Sequence, residues 1–181
     1  MVFPLRKIIE QYDTIDKASF EGALSSFSCQ KDLEVQTFLQ NKAVDFENAK
    51  QTSTFLLFND DASKNGVLQL DGYFSLALKV FSFSADISNR QRRSLSGKSE
   101  REVPAYLIGQ LARDDNAPRG TGKELIHTAI QYIRNAQFYV GGRIVYLDCK
   151  DALKSYYENY GFRYIQKSAR DPQLNQMYLI I

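Results

Sequence analysis

The sequence contains few of the residues that build metal centres or disulfide frameworks. Its two cysteines, Cys29 and Cys149, lie far apart and form no Cys-x-x-Cys or other metal-binding spacing. We therefore expect two reduced thiols and no bound metal. The only histidine, His127, stands beside Thr128 on the polar face of a predicted helix, and we expect it to lie at the surface.

Long apolar runs are also absent. No segment approaches the roughly twenty apolar residues that a membrane-spanning helix requires, and no signal-peptide pattern is present, so we expect a cytoplasmic protein without a membrane partner. The 181 residues are 44% hydrophobic and 24% charged, which is typical of a single folded domain spanning residues 1–181. The net charge of +2 neither requires nor excludes a nucleic-acid partner.

The most informative stretch is residues 104–126, PAYLIGQLARDDNAPRGTGKELI. It predicts an apolar strand, a polar turn and a helix that begins at RGTG. A glycine-containing turn at a helix start leaves backbone N–H groups open to an anion, most often phosphate, and Arg119 and Lys123 add positive charge. The pattern is neither a Walker loop, because Glu124 follows Lys123, nor a dinucleotide fingerprint, because residue 125 is leucine.

The remaining patterns predict a mixed α/β chain in the order β, α, β, β, β, α, β, α, β, β. We expect an edge strand around Ile8 and Ile9 and one amphipathic helix of about twenty residues that contains Val35 to Phe46. A hairpin turn at Asn65 and Gly66 is predicted to join strands at 52–60 and 67–83. The polar residues 84–101 predict a mobile loop. The later elements are a strand at 106–112, a helix at 122–137, a strand at 143–149, a short helix from about 151 with Gly161 as its cap, and two closing strands.

Two segments together resemble the GNAT superfamily of N-acetyltransferases. The RGTG turn is similar to the family's acetyl-CoA loop, and YENYGF at residues 157–162 is similar to a second family segment. The resemblance implies a GNAT fold, with a mixed central sheet of about six to seven strands, splayed parallel central strands and about three to four helices. The loop before RGTG is about one residue shorter than the family pattern. The resemblance implies that acetyl-CoA binds as co-substrate. Its pantetheine arm would bind the backbone of Leu111, Ala112 and Arg113. Its pyrophosphate would bind residues of the RGTG turn, namely Arg119, Gly120, Thr121, Gly122 and Lys123.

By the same resemblance, Tyr157 is the general acid that protonates the departing CoA thiolate. A phenol suits this role because it stays protonated at neutral pH. The alternative is that Tyr157 is one of several core tyrosines on its helix, since Tyr156 and Tyr160 share the stripe. Among the carboxylates near the site, Asp114, Asp115 and Glu158, none is evident as a general base.

The lack of a base favours one kind of acceptor. An α-amine is about 10–15% neutral at pH 7, whereas a lysine is neutral only about 0.04% of the time, and only a neutral amine attacks a thioester. The hypothesis is that the acceptor is an α-amine.

The N-terminal half narrows the resemblance to the acetyltransferase toxins of toxin-antitoxin modules. The matching residues are Phe27 and Cys29, the helix from Leu33 to Phe46, and the strands Thr54 to Asp60 and Leu107 to Asp114. This implies aminoacyl-tRNA as acceptor, an antitoxin protein as a possible partner and a possible homodimer. Arg90, Arg92 and Arg93 could then bind the tRNA backbone, although a solvated loop is the alternative. A small amine or a protein N-terminus as acceptor, and a non-catalytic acyl-CoA-binding module, stay open.

Overall fold

The computed structural model describes residues 1–11, 16–97 and 99–181. Lys98, one of five basic residues in the polar stretch 84–101, which we call the basic segment, lies outside the described residues. Seven strands form one sheet in the order β1-β2-β3-β4-β5-β7-β6. The strands are β1 (Val2–Pro4), β2 (Ser53–Phe58), β3 (Leu70–Ser82), β4 (Glu102–Arg113), β5 (Ile144–Cys149), β6 (Arg163–Lys167) and β7 (Asn175–Ile180). Strands β4 and β5 are parallel as predicted, while β1 with β2, β2 with β3, β5 with β7, and β6 with β7 are antiparallel.

The described ranges contain eight α-helices, about twice the number predicted. They are α1 (Leu5–Ile9), α2 (Lys17–Ser26), α3 (Leu33–Asn41), α4 (Ala43–Asn48), α5 (Asp60–Lys64), α6 (Asn89–Ser96), α7 (Thr121–Val140) and α8 (Lys154–Glu158), the last preceded by a 3₁₀ turn at Asp151–Leu153. The α/β class is confirmed. None of the described helices combines the length and apolar character that crossing a bilayer requires.

Two compact units are present, and the first comprises Met1–Ala77 with Gln110–Ala129. Its core is built around Tyr73 of β3, which is fully buried. The ring of Phe27 meets Tyr73 edge-on at 5.5 Å, and the ring of Phe38 stacks on it at 6.4 Å. The Tyr73 hydroxyl donates to the carbonyl of Val35 at 2.5 Å, which gives the buried phenol its partner.

The second unit comprises Leu78–Gly109 with Ile130–Ile181. Its core contains Phe81 of β3 and Phe83, which directly follows β3, and their rings meet edge-on at 5.1 Å. Tyr146 of β5 packs edge-on against Phe81 at 5.0 Å. Aromatic pairs in this geometry add to the free energy gained by burial. Residue Gln166 of β6 bonds this region to the end of β3, because its amide donates to the carbonyl of Ser82 at 2.9 Å.

Two of the sequence predictions for the N-terminal half are wrong. Residues Ile8 and Ile9 lie in α1 rather than in an edge strand, and the strand that pairs with β2 is Val2–Pro4. Residues 33–48 form two short helices rather than one, because the backbone leaves helical geometry at Lys42, where φ is −128° and ψ is −26°. The apolar spacing predicted the buried face correctly, but spacing alone cannot report a break between two helices that continue the same stripe.

The connection between β2 and β3 also differs from the predicted hairpin. Residues 60–64 form α5, and Asn59 caps its start, because the Asn59 side chain accepts the N–H of Ala62 at 2.8 Å. An asparagine in this position caps a helix as readily as it forms a turn. Gly66 keeps the positive φ of a turn, +76°, but at the end of this helix.

The segment predicted to be a mobile loop contains α6. Residue Ser88 accepts the N–H of Gln91, and the Gln91 side chain accepts the N–H of Ser88, which is a capping box. Gly97 ends the helix in the left-handed conformation. The signal was therefore in the sequence, as Ser-x-x-Gln followed by a glycine, although low hydrophobicity concealed it.

A buried carboxylate on α4 bonds both to the first helix and to the second strand. Glu47 of α4 is 3% exposed, and its Oε1 atom contacts the guanidinium of Arg6 at 3.0 Å. Its Oε2 atom accepts the backbone N–H of Thr54 at 2.7 Å. One carboxylate therefore fixes α1, α4 and the start of β2.

We expect Glu47→Ala to lower the free energy of unfolding by about 2 kcal/mol, because a buried N–H loses its charged acceptor. The control is Glu21→Ala, which removes the exposed pair with Lys17 and should change that free energy by at most about 0.5 kcal/mol. Denaturant unfolding of both variants measures the difference. Equal losses in the two variants would show that Glu47 has no special structural role.

Candidate functional site

The segment that joins β4 to α7 carries the predicted anion site. We call residues 114–120 the β4–α7 loop. Gly120 adopts a φ of +99°, and a Cβ added there would meet no atom within 4 Å, so the backbone lies open on that side. A residue with a side chain would be strained at this φ, which explains the glycine. Helix α7 begins at the next residue, Thr121, one position before the predicted start.

The first turn of α7 presents backbone donors to solvent. Thr121 uses both its N–H and its hydroxyl on the carbonyl of Pro118, at 3.3 and 2.9 Å. Within the described residues, no acceptor is recorded for the N–H groups of Gly122 and Lys123, as expected of the first residues of a helix. The side chains of Arg119 and Lys123 are exposed. The start of α7 therefore carries open backbone N–H groups and two exposed cations, and their role in binding an anion stays a prediction.

The end of β4 is held closely against β3. A Cβ added to Gly72 would lie 2.8 Å from the carbonyl oxygen of Ala112 and 2.7 Å from the side chain of Leu125. The N–H of Asp114 donates to the carbonyl of Asp71 at 2.8 Å. The Arg113 guanidinium donates to the carbonyls of Asp114 and Ala117, which closes the start of the β4–α7 loop. The role of Gly72 was missed from the sequence, where it looked like an ordinary strand residue.

In the second unit, the parallel ladder between β4 and β5 is short. It pairs Tyr106 with Val145 and Leu107 with Tyr146. Both strands continue, but no pairing joins residues 108–109 to residues 147–148 in this described part of the unit. The backbone groups that would complete the ladder are therefore not used between these strands. This opening agrees with the splayed parallel strands predicted from the GNAT resemblance.

Tyr157 is held by the turn that ends α8. The N–H of Phe162 donates to the carbonyl of Tyr157 at 3.3 Å, and the N–H of Gly161 donates to the carbonyl of Glu158 at 3.0 Å. These two bonds, with Gly161 at a φ of +86°, form a Schellman motif. The ring of Phe162 packs edge-on against that of Tyr157 at 5.9 Å, which is the apolar contact that accompanies such a motif. The YENYGF pattern thus forms a local turn that fixes the position of Tyr157.

The neighbouring tyrosines differ from Tyr157 in burial. Tyr157 is 7% exposed, whereas Tyr156 and Tyr160 are half-buried and pack edge-on at 5.1 Å. Burial raises the pKa of Tyr156. The sequence pattern also predicted that Ala152 and Leu153 point inward from this helix, which is wrong, because both are exposed.

The carboxylates considered as general bases are committed elsewhere or exposed. Asp114 is 4% exposed and accepts two backbone N–H groups. The N–H of Gln30 and the hydroxyl of Ser28 donate to Asp115 and hold the pKa of its carboxyl below the usual value. Glu158 is exposed at the end of α8, and His127 is exposed as predicted. The link between Ser28 and the two aspartates was not foreseen, since 86 residues separate Ser28 from Asp114.

The three arginines considered for tRNA binding, Arg90, Arg92 and Arg93, have unlike surroundings. The side chain of Arg92 is buried, and its guanidinium donates to the carbonyls of Ile87 and Ser99 and to the side chain of Asn89. Arg90 and Arg93 are exposed on α6. Arg92 therefore holds the segment together, and only the other two arginines present their charge to a partner.

No protein-family model matches this sequence, and no curated protein matches it. Solved structures do. AtaT complexed with acetyl-methionyl-tRNAfMet matches with a TM-score of 0.72 at 18% identity, over 99% of this chain and 94% of AtaT. A Tyr-to-Phe mutant of the AtaT toxin, bound to the C-terminus of the antitoxin AtaR and to acetyl-CoA, matches with a TM-score of 0.68 at 18% identity, over 99% and 92% of the two chains. A Tyr-to-Phe mutant of KacT matches with a TM-score of 0.70 at 20% identity, over 90% and 89%.

AtaT is a toxin whose structures include acetyl-CoA and an acetylated tRNA. At these identities the likeness establishes the fold. The GNAT fold predicted from two short sequence motifs is therefore confirmed.

We expect Gly161→Ala to lower the free energy of unfolding by about 1–2 kcal/mol, because alanine is strained in the left-handed conformation. The added Cβ would also lie 3.4 Å from the Leu179 side chain. Gly22→Ala is the matched control: Gly22 lies inside α2 with nothing within 4 Å of an added Cβ, so the same change should stabilise by up to about 1 kcal/mol. Opposite signs in denaturant unfolding are the expected result, and a gain in both variants would contradict the Schellman assignment.

Proposed function

We propose that this chain, which has the fold of the acetyltransferase toxins AtaT and KacT, is an acetyl-CoA-dependent N-acetyltransferase. The observation that carries the proposal is the start of α7. Open N–H groups, a left-handed glycine with free space beside it, and two exposed cations follow one another at the end of a central strand. This combination suits the pyrophosphate of a coenzyme. The Tyr-to-Phe AtaT structure, which contains acetyl-CoA, supports the choice of coenzyme.

In this proposal the residues of the chain have two binding roles and one chemical role. The N–H groups of residues 119, 120, 122 and 123 and the charges of Arg119 and Lys123 bind the pyrophosphate, while the N–H of Thr121 stays bonded to the carbonyl of Pro118. The backbone of Leu111, Ala112 and Arg113 binds the pantetheine arm. The acceptor amine attacks the thioester carbonyl, the carbon–sulfur bond breaks, and the phenol of Tyr157 gives its proton to the departing thiolate. The proton that the amine loses goes to water, since the aspartates of the β4–α7 loop are hydrogen-bonded elsewhere.

We propose the α-amine of an aminoacyl-tRNA as the acceptor. An amine that is partly neutral at pH 7 needs no strong base, which fits the engaged state of Asp114 and Asp115. The structure of AtaT complexed with acetyl-methionyl-tRNAfMet supports this choice. The exposed Arg90 and Arg93 supply charge for the phosphate backbone. An antitoxin is proposed as protein partner on the same grounds, because the AtaT toxin has been found with the C-terminus of AtaR.

The acceptor is tested by incubating the protein with labelled acetyl-CoA and total tRNA, charged in one reaction and deacylated in the other. Label in the RNA of the charged sample alone is the expected result, because only charged tRNA carries an α-amine. Equal label in both samples would exclude the α-amine as acceptor. No label in either sample, with acetyl-CoA binding intact, would redirect the search to small amines and protein N-termini.

Tyr157→Phe should reduce turnover by at least about 100-fold, within the range that a general acid contributes, and leave the Kd for acetyl-CoA within about twofold. The control is Tyr164→Phe, at a tyrosine that is 43% exposed, which should change neither quantity. Turnover is measured by acetyl transfer and Kd by calorimetry.

Loss of turnover in Tyr156→Phe, but not in Tyr157→Phe, would move the acid to the neighbouring tyrosine. Turnover that survived both changes within a few-fold would remove the phenol from the mechanism. A protein that bound acetyl-CoA but transferred nothing in any variant would instead be a non-catalytic acyl-CoA-binding module.

Replacing Arg90 and Arg93 together with alanine should weaken tRNA binding and flatten its dependence on salt by about one to two in the slope of log K against log salt. Lys7→Ala with Lys42→Ala is the control, since it removes the same charge from exposed positions in the first unit. Filter binding at several salt concentrations measures both. Identical slopes for the two double variants would remove α6 from the tRNA site.

A further inference from the structure

We propose that Asp115 is a positioning residue, which holds the β4–α7 loop against the turn between α2 and α3 (residues 27–32) and so prepares the loop for acetyl-CoA. The proposal rests on the function proposed above. It gives a structural role in coenzyme binding to a carboxylate that would otherwise be interpreted as a solvated loop residue or as a catalytic base.

The contacts between the loop and the α2–α3 turn are dense. The Oδ2 atom of Asp115 accepts the hydroxyl of Ser28 at 2.8 Å and the N–H of Gln30 at 2.9 Å. The N–H of Asp115 donates to the carbonyl of Ser28 at 2.9 Å. Three hydrogen bonds thus join one residue of the loop to two residues of the turn.

The preceding carboxylate completes the junction. Asp114 Oδ2 accepts the N–H of Ser28 at 2.7 Å, and Asp114 Oδ1 accepts the N–H of Asn116 at 2.9 Å. Asp114 is buried, whereas Asp115 is exposed. Replacing Asp114 would strip two backbone donors of a charged acceptor in the interior, so Asp115 is the residue whose role can be measured in a folded protein.

The α2–α3 turn is itself rigidly held, so it can serve as a support. The N–H of Cys29 donates to the side chain of Gln36 at 2.8 Å, and the amide of Gln40 donates to the carbonyls of Ser25 and Phe27 at 3.0 and 2.9 Å. Phe27 is 2% exposed in the aromatic core of the first unit. Through Asp115, the loop is therefore connected to a fixed part of the core.

Asp115 lies between the two segments that are proposed to bind acetyl-CoA. Asp115 lies two residues after Arg113, the last of the proposed pantetheine contacts, and four before Arg119, the first of the proposed pyrophosphate contacts. A loop that is ordered before binding loses less conformational entropy when the coenzyme binds. Loss of the connection should weaken acetyl-CoA binding while leaving the chemical step intact, which a catalytic base would not do.

The test compares Asp115→Ala, Asp115→Asn and the wild-type protein. We expect Asp115→Ala to raise the Kd for acetyl-CoA about tenfold, and Asp115→Asn, which keeps an acceptor oxygen, to raise it less. At saturating acetyl-CoA, kcat and its dependence on pH should remain those of the wild type. Calorimetry gives the Kd, and acetyl transfer to charged tRNA gives kcat. Asp61→Ala, at a surface carboxylate that is 90% exposed, is the control of equal charge change and should leave the Kd unchanged.

A second variant isolates the contact itself. Ser28→Ala removes only the hydroxyl that donates to Asp115, and we expect a Kd increase of about threefold. Combined with Asp115→Ala it should add nothing further, because the two changes remove the same bond. Hydrogen exchange at the Gln30 amide should be faster in Asp115→Ala than in the wild type.

Three results would overturn the proposal. A fall in kcat with an unchanged Kd, or a lost limb of the pH profile, would make Asp115 a catalytic group. An unchanged Kd with only a lower melting temperature would make its role purely structural. A wild-type protein that does not bind acetyl-CoA would refute the proposed function and this inference with it, whereas normal wild-type binding with no effect of the variants would refute this inference alone.

Discussion

The buried carboxylate of Asp114 is the constraint on which the candidate coenzyme site depends. It accepts the N–H of Ser28 at 2.7 Å from one side and that of Asn116 at 2.9 Å from the other, while its own N–H bonds to Asp71 of β3. Without this carboxylate, two partly buried backbone donors would lose a charged acceptor, at a cost of up to roughly 1–3 kcal/mol each. The path of the chain from β4 into the loop is therefore fixed before α7 begins.

The two halves of the candidate chemistry are built by different means. The anion site is made of backbone N–H groups and depends on where a helix begins, so it needs glycine at a residue with φ of +99° and little else from the side chains. Tyr157 is a side chain that must be held in one place, and the Schellman motif holds it through Gly161 and Phe162. In both cases a glycine in the left-handed conformation lies within four residues of the functional group, because the chain must turn sharply there.

The basic segment shows why charge counted along the sequence is an unreliable guide to a binding surface. Arg92 has the same residue type and nearly the same position as Arg90 and Arg93, yet its guanidinium is consumed by two carbonyls and an asparagine. A capping box turns the segment into a helix, and the helix period then sends one arginine inward and two outward. Which arginines are exposed therefore depends on the direction in which each side chain leaves the helix, and the amino-acid composition does not specify that direction.

The sequence by itself determined the class of fold, the strand–loop–helix of the candidate coenzyme site and the Gly161 cap, because each depends on residues close together in the chain. It also determined the parallel pair β4 and β5, because two strands joined by a helix pair in parallel. Periodicity, glycine positions and capping residues act locally and can be read locally. Only the tertiary structure decided that Gly72 must lack a side chain, that residues 33–48 break into two helices, and that Ser28 meets Asp114 and Asp115. The Gly72 and Ser28 contacts join segments that are 40 or more residues apart in the chain, and close packing and hydrogen-bond pairing between distant segments leave no periodic signal in the sequence.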